Sequence, residues 1–198
     1  MNIQSAIIEG IDILKGRYIQ TAKLDSEILM AKALGKDRKY ILLNNNKDLM
    51  EENLKYFKHL IKERSCRKPI AYLISKKFFW SSEFVVTNDI LIPRPDTELV
   101  VEQVLKLVKH KSVMNILDIG VGSGCILLSI LKEKKNFYGT GIDISKKCLN
   151  ISKINAKNLK VESRTKFYKT DVDKFSIGKY DLIVSNPPYI NKHCFKYL

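Results

Sequence analysis

The chain has few of the residues that staple or anchor a fold from outside. It carries four cysteines, Cys66, Cys125, Cys148 and Cys194, with no C-x-x-C pair, and three histidines, of which only His193 lies beside a cysteine. That spacing argues against a disulfide framework and against a zinc site, so no metal is expected. No segment approaches the roughly 20 uninterrupted apolar residues of a membrane helix, and Glu9 and Asp12 interrupt the N-terminal apolar pattern where a signal peptide would be smooth. A cytoplasmic protein without membrane partners is expected. Acidic residues are also scarce: 21 against 35 basic ones, 29 of them Lys and only 6 Arg, giving a net charge of +14. The excess suits an acidic partner such as nucleic acid or a ribosome-associated protein; scattered lysines beside abundant Asn and Ile equally fit a proteome that favours Lys on surfaces.

What is present reads as an ordinary globular chain of 198 residues, 45% hydrophobic and 28% charged. Up to about Arg67 apolar residues recur at helical spacing: Ile3, Ile7, Ile11 and Leu14, then Leu24, Ile28, Leu29 and Ala31, with Gly16 and Gly35 as helix ends. Runs from Asp37 to Leu43 and from Asp48 to Cys66, the latter with Leu49, Leu54, Phe57, Leu60 and Ile61 inward, complete a small bundle. It has no glycine-rich loop and no carboxylates paired beside a histidine, so its expected job is to recognise a macromolecule or to cover a site built elsewhere.

From Pro69 to Pro95 the texture turns β-branched and aromatic; Phe78-Phe79-Trp80 and Phe84-Val85-Val86 read as a hairpin about Ser81-Ser82-Glu83. Arg94-Pro95-Asp96-Thr97-Glu98 then opens a helix whose expected buried face is Leu99, Val100, Val104, Leu105 and Val108, with Asp96 and Glu98 as ordinary first-turn acids. Beyond Val113 strands and helices alternate: strand to Ile119, helix Cys125 to Lys132, strand Phe137 to Ile142, helix Lys146 to Ala156, and strands near Thr165 to Lys169 and Tyr180 to Ser185. Alternation of this kind implies a parallel, doubly wound sheet, so the fold class is α/β behind a helical bundle.

Asp118-Ile119-Gly120-Val121-Gly122-Ser123-Gly124 sits where the first of these strands meets its helix. Its G-x-G-x-G spacing differs from the dinucleotide fingerprint, and no Lys-Ser/Thr pair follows as a phosphate loop requires. Asp143, ending the next strand, is placed to accept both ribose hydroxyls of a nucleoside. Asp118 is suited either to receive a cationic amino group or to orient the loop through its amides. Acid, glycine loop and acid together suit a nucleoside with an amino-acid tail, S-adenosylmethionine; a plain strand-to-helix turn is the alternative. Asn186-Pro187-Pro188-Tyr189 follows the last strand. The prolines lock the backbone and remove two amide donors, so the Asn186 side-chain oxygen and the Pro187 carbonyl are suited to accept both hydrogens of a planar NH2 group while Tyr189 stacks on it. Catalysis would then be positioning plus electrostatics without a strong base; a strand terminator with a core tyrosine is the alternative.

These stretches, with Leu91-Ile92-Pro93-Arg94-Pro95-Asp96-Thr97-Glu98, Pro69-Ile70-Ala71-Tyr72-Leu73 and Phe79-Trp80, resemble the HemK/PrmC family, the peptide chain release factor glutamine N5-methyltransferases, from the N-terminus to Tyr189. Asn-Pro-Pro-Tyr alone is shared with adenine-N6 DNA methyltransferases; the Pro-Arg-Pro-Asp-Thr-Glu stretch and the preceding bundle are more specific. The resemblance implies a Rossmann-like class I S-adenosylmethionine-dependent methyltransferase domain over 95–198, a hairpin connector over 68–94 and a substrate-recognition bundle over 1–67. It implies that Asp118, Gly120, Val121, Gly122, Ser123, Gly124, Asp143, Asp171, Val172 and Asn186 hold S-adenosylmethionine. Asn186, Pro187, Pro188 and Tyr189 would bind the glutamine amide of the Gly-Gly-Gln loop of a bacterial release factor, with Asn186, Pro187 and Tyr189 catalytic. Asp171-Val172 stands where relatives often place an aromatic residue against adenine, which would weaken stacking. Only nine residues follow Tyr189, so the doubly wound sheet is expected to be incomplete, its fourth strand an exposed edge: a truncated or decayed gene, or a fold completed by another chain. The alternatives are a nucleic-acid adenine-N6 methyltransferase, with nucleic acid as substrate, and a non-catalytic remnant.

Overall fold

A computed structural model describes residues 1–187, which divide into two compact units, Met1–Ser75 and a second that begins at Lys76. The division falls after a short helix that begins at Ile70, so Ile70-Ala71-Tyr72-Leu73 is helical and belongs to the first unit rather than to the strand-like stretch that its β-branched texture suggested.

The first unit is α1 (Ile3–Lys15), α2 (Ala22–Leu34), α3 (Arg38–Leu43), α4 (Glu51–Ser65) and α5 (Ile70–Ile74). Asn2 and Asp37 cap α1 and α3, each side chain accepting the backbone N–H three residues on, at 2.8 and 2.7 Å. Leu14, Leu29, Met30, Ile41, Phe57 and Ile61 form the core. The expected inward stripe of α2 is rotated: Leu24 is 42% exposed, whereas Asp25 and Glu27 are buried. Each carboxylate receives an arginine Nε at 2.7 Å, Asp25 from Arg64 and Glu27 from Arg38. A charged face can turn inward only where a guanidinium meets it, which an apolar count does not register.

The second unit opens with β1 (Lys76–Phe79) and β2 (Ser82–Val85), paired antiparallel with Phe78 opposite Glu83. Their turn is Trp80-Ser81, both at positive φ (41° and 53°), one residue earlier than the serines suggested. Of the two-residue hairpin turns that match the strand twist, the type I′ form takes left-handed backbone at both central positions. Buried Phe79 and Phe84 meet edge to face at 6.0 Å. Pro95–Thr97 forms one 3-10 turn leading into α6 (Glu98–Leu107). The buried face of α6 is Val101 and Val104, continued by Val108, while Leu99 is 60% exposed against expectation.

Then follow β3 (Asn115–Ile119), α7 (Cys125–Glu133), β4 (Tyr138–Asp143), α8 (Lys146–Asn158), β5 (Thr165–Lys169) and β6 (Leu182–Ser185). All are parallel, in spatial order β5-β4-β3-β6. The chain steps outward from β3 through β4 to β5, then returns to the other side of β3 as β6. The order therefore reverses between β3 and β6, the topological switch point at which doubly wound sheets open a crevice at their carboxyl ends. Ile116, Leu127, Leu128, Ile130, Leu131 and Phe137 fill the core. Among the described residues β6 is an outer strand, with Ile183 59% exposed, and no helix is long and apolar enough to cross a membrane.

Candidate cofactor and acceptor site

The glycine loop leaves the carboxyl end of β3 and enters α7, while Asn186 directly follows β6. Ile119 and Ser185 are register partners in those neighbouring strands, and the Ser185 hydroxyl donates to the Ile119 carbonyl at 3.0 Å. Loop and Asn186 thus emerge side by side at the switch point. Asp143 ends β4, and Asp171-Val172 follows β5, so the candidates on four different segments share one edge of the sheet.

The loop is held from below. Gly120 and Val121 donate to the Ile142 carbonyl at 2.9 and 3.0 Å, and Gly122 donates to Asp143 Oδ2 at 3.0 Å. Gly120 and Gly122 lie at φ 74° and 54°, and a Cβ there would meet nothing within 4 Å at Gly120 and only the Gly120 carbonyl, at 3.8 Å, at Gly122. The left-handed backbone and the open space together leave a bare peptide surface that a ligand can approach closely. Val121, Ser123 and Gly124 are buried, so what they can offer a ligand is backbone.

Two side chains that the sequence reading passed over fix the loop from α8. Buried Ser152 donates to the Gly122 carbonyl at 2.7 Å, and Asn155, fully buried, donates to the Ser123 carbonyl at 2.9 Å. Asn155 also exchanges two bonds with the Val85 backbone, accepting from its N–H at 2.8 Å and donating to its carbonyl at 3.1 Å, which ties the hairpin to the loop. The available signal was a serine and an asparagine on the inward stripe of α8 beside Leu149 and Ala156.

The two acids divide their work in a way the sequence left open. Asp143 orients the loop: besides Gly122, the Ser145 N–H donates to its Oδ1 at 2.8 Å, and each oxygen retains a lone pair for a ligand. Asp118, 2% exposed, has an Oδ2 without any hydrogen-bond partner among the described residues. Burial, reinforced by the nearby Asp143 charge and opposed by a bond from the Leu127 N–H, pushes its carboxyl up to about 7. An orphaned buried carboxylate oxygen beside a bare glycine loop fits a ligand that brings a cation. Burial likewise pushes the Cys125 thiol up to about 12, which removes it as a nucleophile at neutral pH.

Asp171 accepts the Asp173 N–H at 3.1 Å and caps the turn Val172–Lys174; Val172 is 48% exposed. Asn186 and Pro187 are exposed, and Asn186 Nδ2 donates to the hydroxyl of buried Thr97 at 3.1 Å. Pro188, Tyr189 and the nine residues after them lie outside the described residues. No cluster of three metal-ligating side chains exists among the described residues.

Residues 96–197 match the family model of the methyltransferase small domain, and residues 5–74 match that of the PrmC N-terminal domain. The parallel sheet with its glycine loop at the switch point is thus a Rossmann-like domain of the methyltransferase class. The chain is 39% identical over 197 residues to the release factor glutamine methyltransferase of Buchnera aphidicola subsp. Acyrthosiphon pisum, covering 100% of itself and 70% of that protein. It is 36% identical over 195 residues to that of Clostridium acetobutylicum, covering 97% of itself and 68% of that protein. The chain belongs to the release factor glutamine methyltransferase family. Among solved structures, YjhP from E. coli aligns with 48% of this chain and 38% of its own at 29% identity and a TM-score of 0.42.

Proposed function

We propose that the chain transfers a methyl group from S-adenosylmethionine to the side-chain amide N5 of the glutamine in the Gly-Gly-Gln motif of bacterial peptide chain release factors. The observation that carries this reading is the juxtaposition, across the switch point, of the glycine loop and Asn186-Pro187. Family membership supports the acceptor, and it disfavours the adenine-N6 reading that Asn-Pro-Pro-Tyr alone would allow.

When bound, S-adenosylmethionine supplies an electrophilic methyl group on a sulfonium centre. In this reading the Gly120 to Gly124 backbone, the carboxylates of Asp118 and Asp143, and Asp171-Val172 hold it. The Asp118 oxygen without a partner suits its positive charge, and the remaining lone pairs of Asp143 suit ribose hydroxyls. Asn186 Oδ1 and the Pro187 carbonyl accept the two N–H groups of the glutamine amide, with Pro188 and Tyr189 completing that grip. Accepting both hydrogens draws electron density onto a nitrogen whose lone pair is otherwise delocalised and fixes it in line for attack. As the N–C bond forms, the sulfonium–methyl bond would break and leave a neutral thioether, and the proton released from nitrogen passes to water, so no residue has to act as a strong base. The bundle of Met1–Ser75 engages the rest of the release factor.

The test is transfer of labelled methyl from S-adenosylmethionine to an unmodified release factor, with DNA as a competing acceptor and a longer relative as positive control. Label on the release factor, lost when its Gly-Gly-Gln glutamine is replaced, is the expected result. Label on DNA would establish the adenine reading instead, and no label with an active control would leave a non-catalytic remnant.

A further inference from the structure

The Pro-Arg-Pro-Asp-Thr-Glu stretch, the most specific motif of the sequence, lies outside the glycine loop and its two acids. The structure gives it a mechanical place. Pro95, with its fixed φ, starts the turn Pro95–Thr97, which the Thr97 N–H closes on the Arg94 carbonyl at 3.0 Å. The next residue, Glu98, accepts the Trp80 backbone N–H at 2.9 Å through Oε1, fastening the turn to the hairpin. Thr97, 7% exposed, is held between these ties, and its Oγ1 receives Asn186 Nδ2 at 3.1 Å across 89 residues of sequence.

We infer that Thr97 is a positioning residue that sets the orientation of the Asn186 amide: with the N–H end bound to the Thr97 hydroxyl, the planar group offers its oxygen on the opposite side. This inference rests on the role proposed for Asn186. A primary amide can flip by 180° at little intrinsic cost, and the flipped form would present N–H to a substrate N–H and repel it. A buried hydroxyl on a turn fastened at both ends holds the amide in place and in plane before the substrate arrives; in the bonded form it accepts from Nδ2 and leaves Oδ1 to the substrate, and that anchoring is preorganisation rather than binding. The loss expected on removing it therefore falls on turnover and not on cofactor affinity.

The test uses the full chain labelled with 15N at asparagine, the Asn186 side-chain signal being assigned by its absence in Asn186→Asp. Thr97→Val keeps the β-branched shape and removes the hydroxyl; Thr97→Ser keeps the hydroxyl. In the unaltered chain the Asn186 Nδ2 protons exchange slowly with solvent; in Thr97→Val the signal shifts and exchange accelerates, and in Thr97→Ser it stays in place. Thr97→Val lowers kcat for methyl transfer on the order of 10- to 100-fold, the scale of misplacing a reacting group by about 1 Å. The Kd for S-adenosylmethionine stays within about twofold and Thr97→Ser regains activity, a pattern that loss of packing would not produce. An unchanged Asn186 signal in Thr97→Val overturns the inference. So does a Kd that weakens in step with kcat, which would make Thr97 a cofactor ligand, or a serine variant as poor as the valine. Absence of transfer by the unaltered chain overturns the functional reading, whereas the amide signal still decides the anchor.

Discussion

The Gly122 N–H donates to Asp143 Oδ2 at 3.0 Å, so the acid that ends β4 fastens the glycine loop that follows β3. One carboxylate thus shapes the peptide surface of the loop and keeps a lone pair on each oxygen. Asp143→Asn places an amide where at least one of two backbone donors needs an acceptor. The variant should weaken S-adenosylmethionine binding by about 10- to 100-fold, equivalent to one or two charge-assisted bonds. Isothermal titration would show it; a Kd within threefold of the unaltered chain would remove Asp143 from both roles.

Asn186→Ala separates holding the cofactor from gripping the acceptor. Transfer to the release factor should fall by more than about 100-fold, the scale of deleting one preorganised oxyanion-type partner, while cofactor Kd changes by less than about threefold. Near-normal transfer by this variant would exclude Asn186 from the grip.

The buried carboxyl of Asp118 makes the stability of the empty chain depend on pH. Its ordinary value is 3.8 and the folded one about 7, so between these values the native state binds more protons than the unfolded one. By linkage its contribution is fully present below pH 4, shrinks as pH rises through that window, and is gone above about pH 8. The difference is at most about 4 kcal/mol, from roughly 1.4 kcal/mol per unit. Asp118→Asn should flatten the decline from pH 4 to 8 in urea titrations and leave the variant the more stable of the two at pH 8; parallel curves for both proteins would contradict this assignment.

In the helical unit, Arg64 Nε donates to the buried Asp25 carboxylate at 2.7 Å, and its Nη1 donates to the Lys68 carbonyl at 3.1 Å. Arg64→Ala leaves that carboxylate without its cation and should cost about 3–5 kcal/mol, the usual penalty for breaking a buried pair. Replacing both residues, Asp25→Leu with Arg64→Met, should recover most of it. Denaturant midpoints would check this, and an additive loss in the double variant would mean that the pair is not coupled.

Strand and helix order, the glycine loop, the acid ending β4 and the place of Asn186-Pro187 directly after β6 were legible because each is local: alternation, turn chemistry and short spacing leave their mark within a few residues. Leu24 and Leu99 were misread because an apolar count treats hydrophobicity as burial, and the hairpin turn because serine marks turns in general whereas here Trp80 takes the first left-handed position. Asp25 and Glu27 are inside only because Arg64 and Arg38, 39 and 11 residues away, meet them. Ser152 and Asn155 went unnoticed since a polar residue on an inward helical face looks like an error until the loop carbonyls that it bonds are in place.

The sequence by itself determined the α/β alternation behind a helical bundle and the membership of its motifs in one chemistry, because backbone preference and motif spacing are properties of neighbouring residues. Only the tertiary structure decided that the glycine loop and Asn186 emerge side by side, that Asp143 holds the loop while Asp118 keeps an oxygen without a partner among the described residues, and that Thr97 meets Asn186. Strand order reverses between β3 and β6, and that reversal brings together groups more than 60 residues apart along the chain.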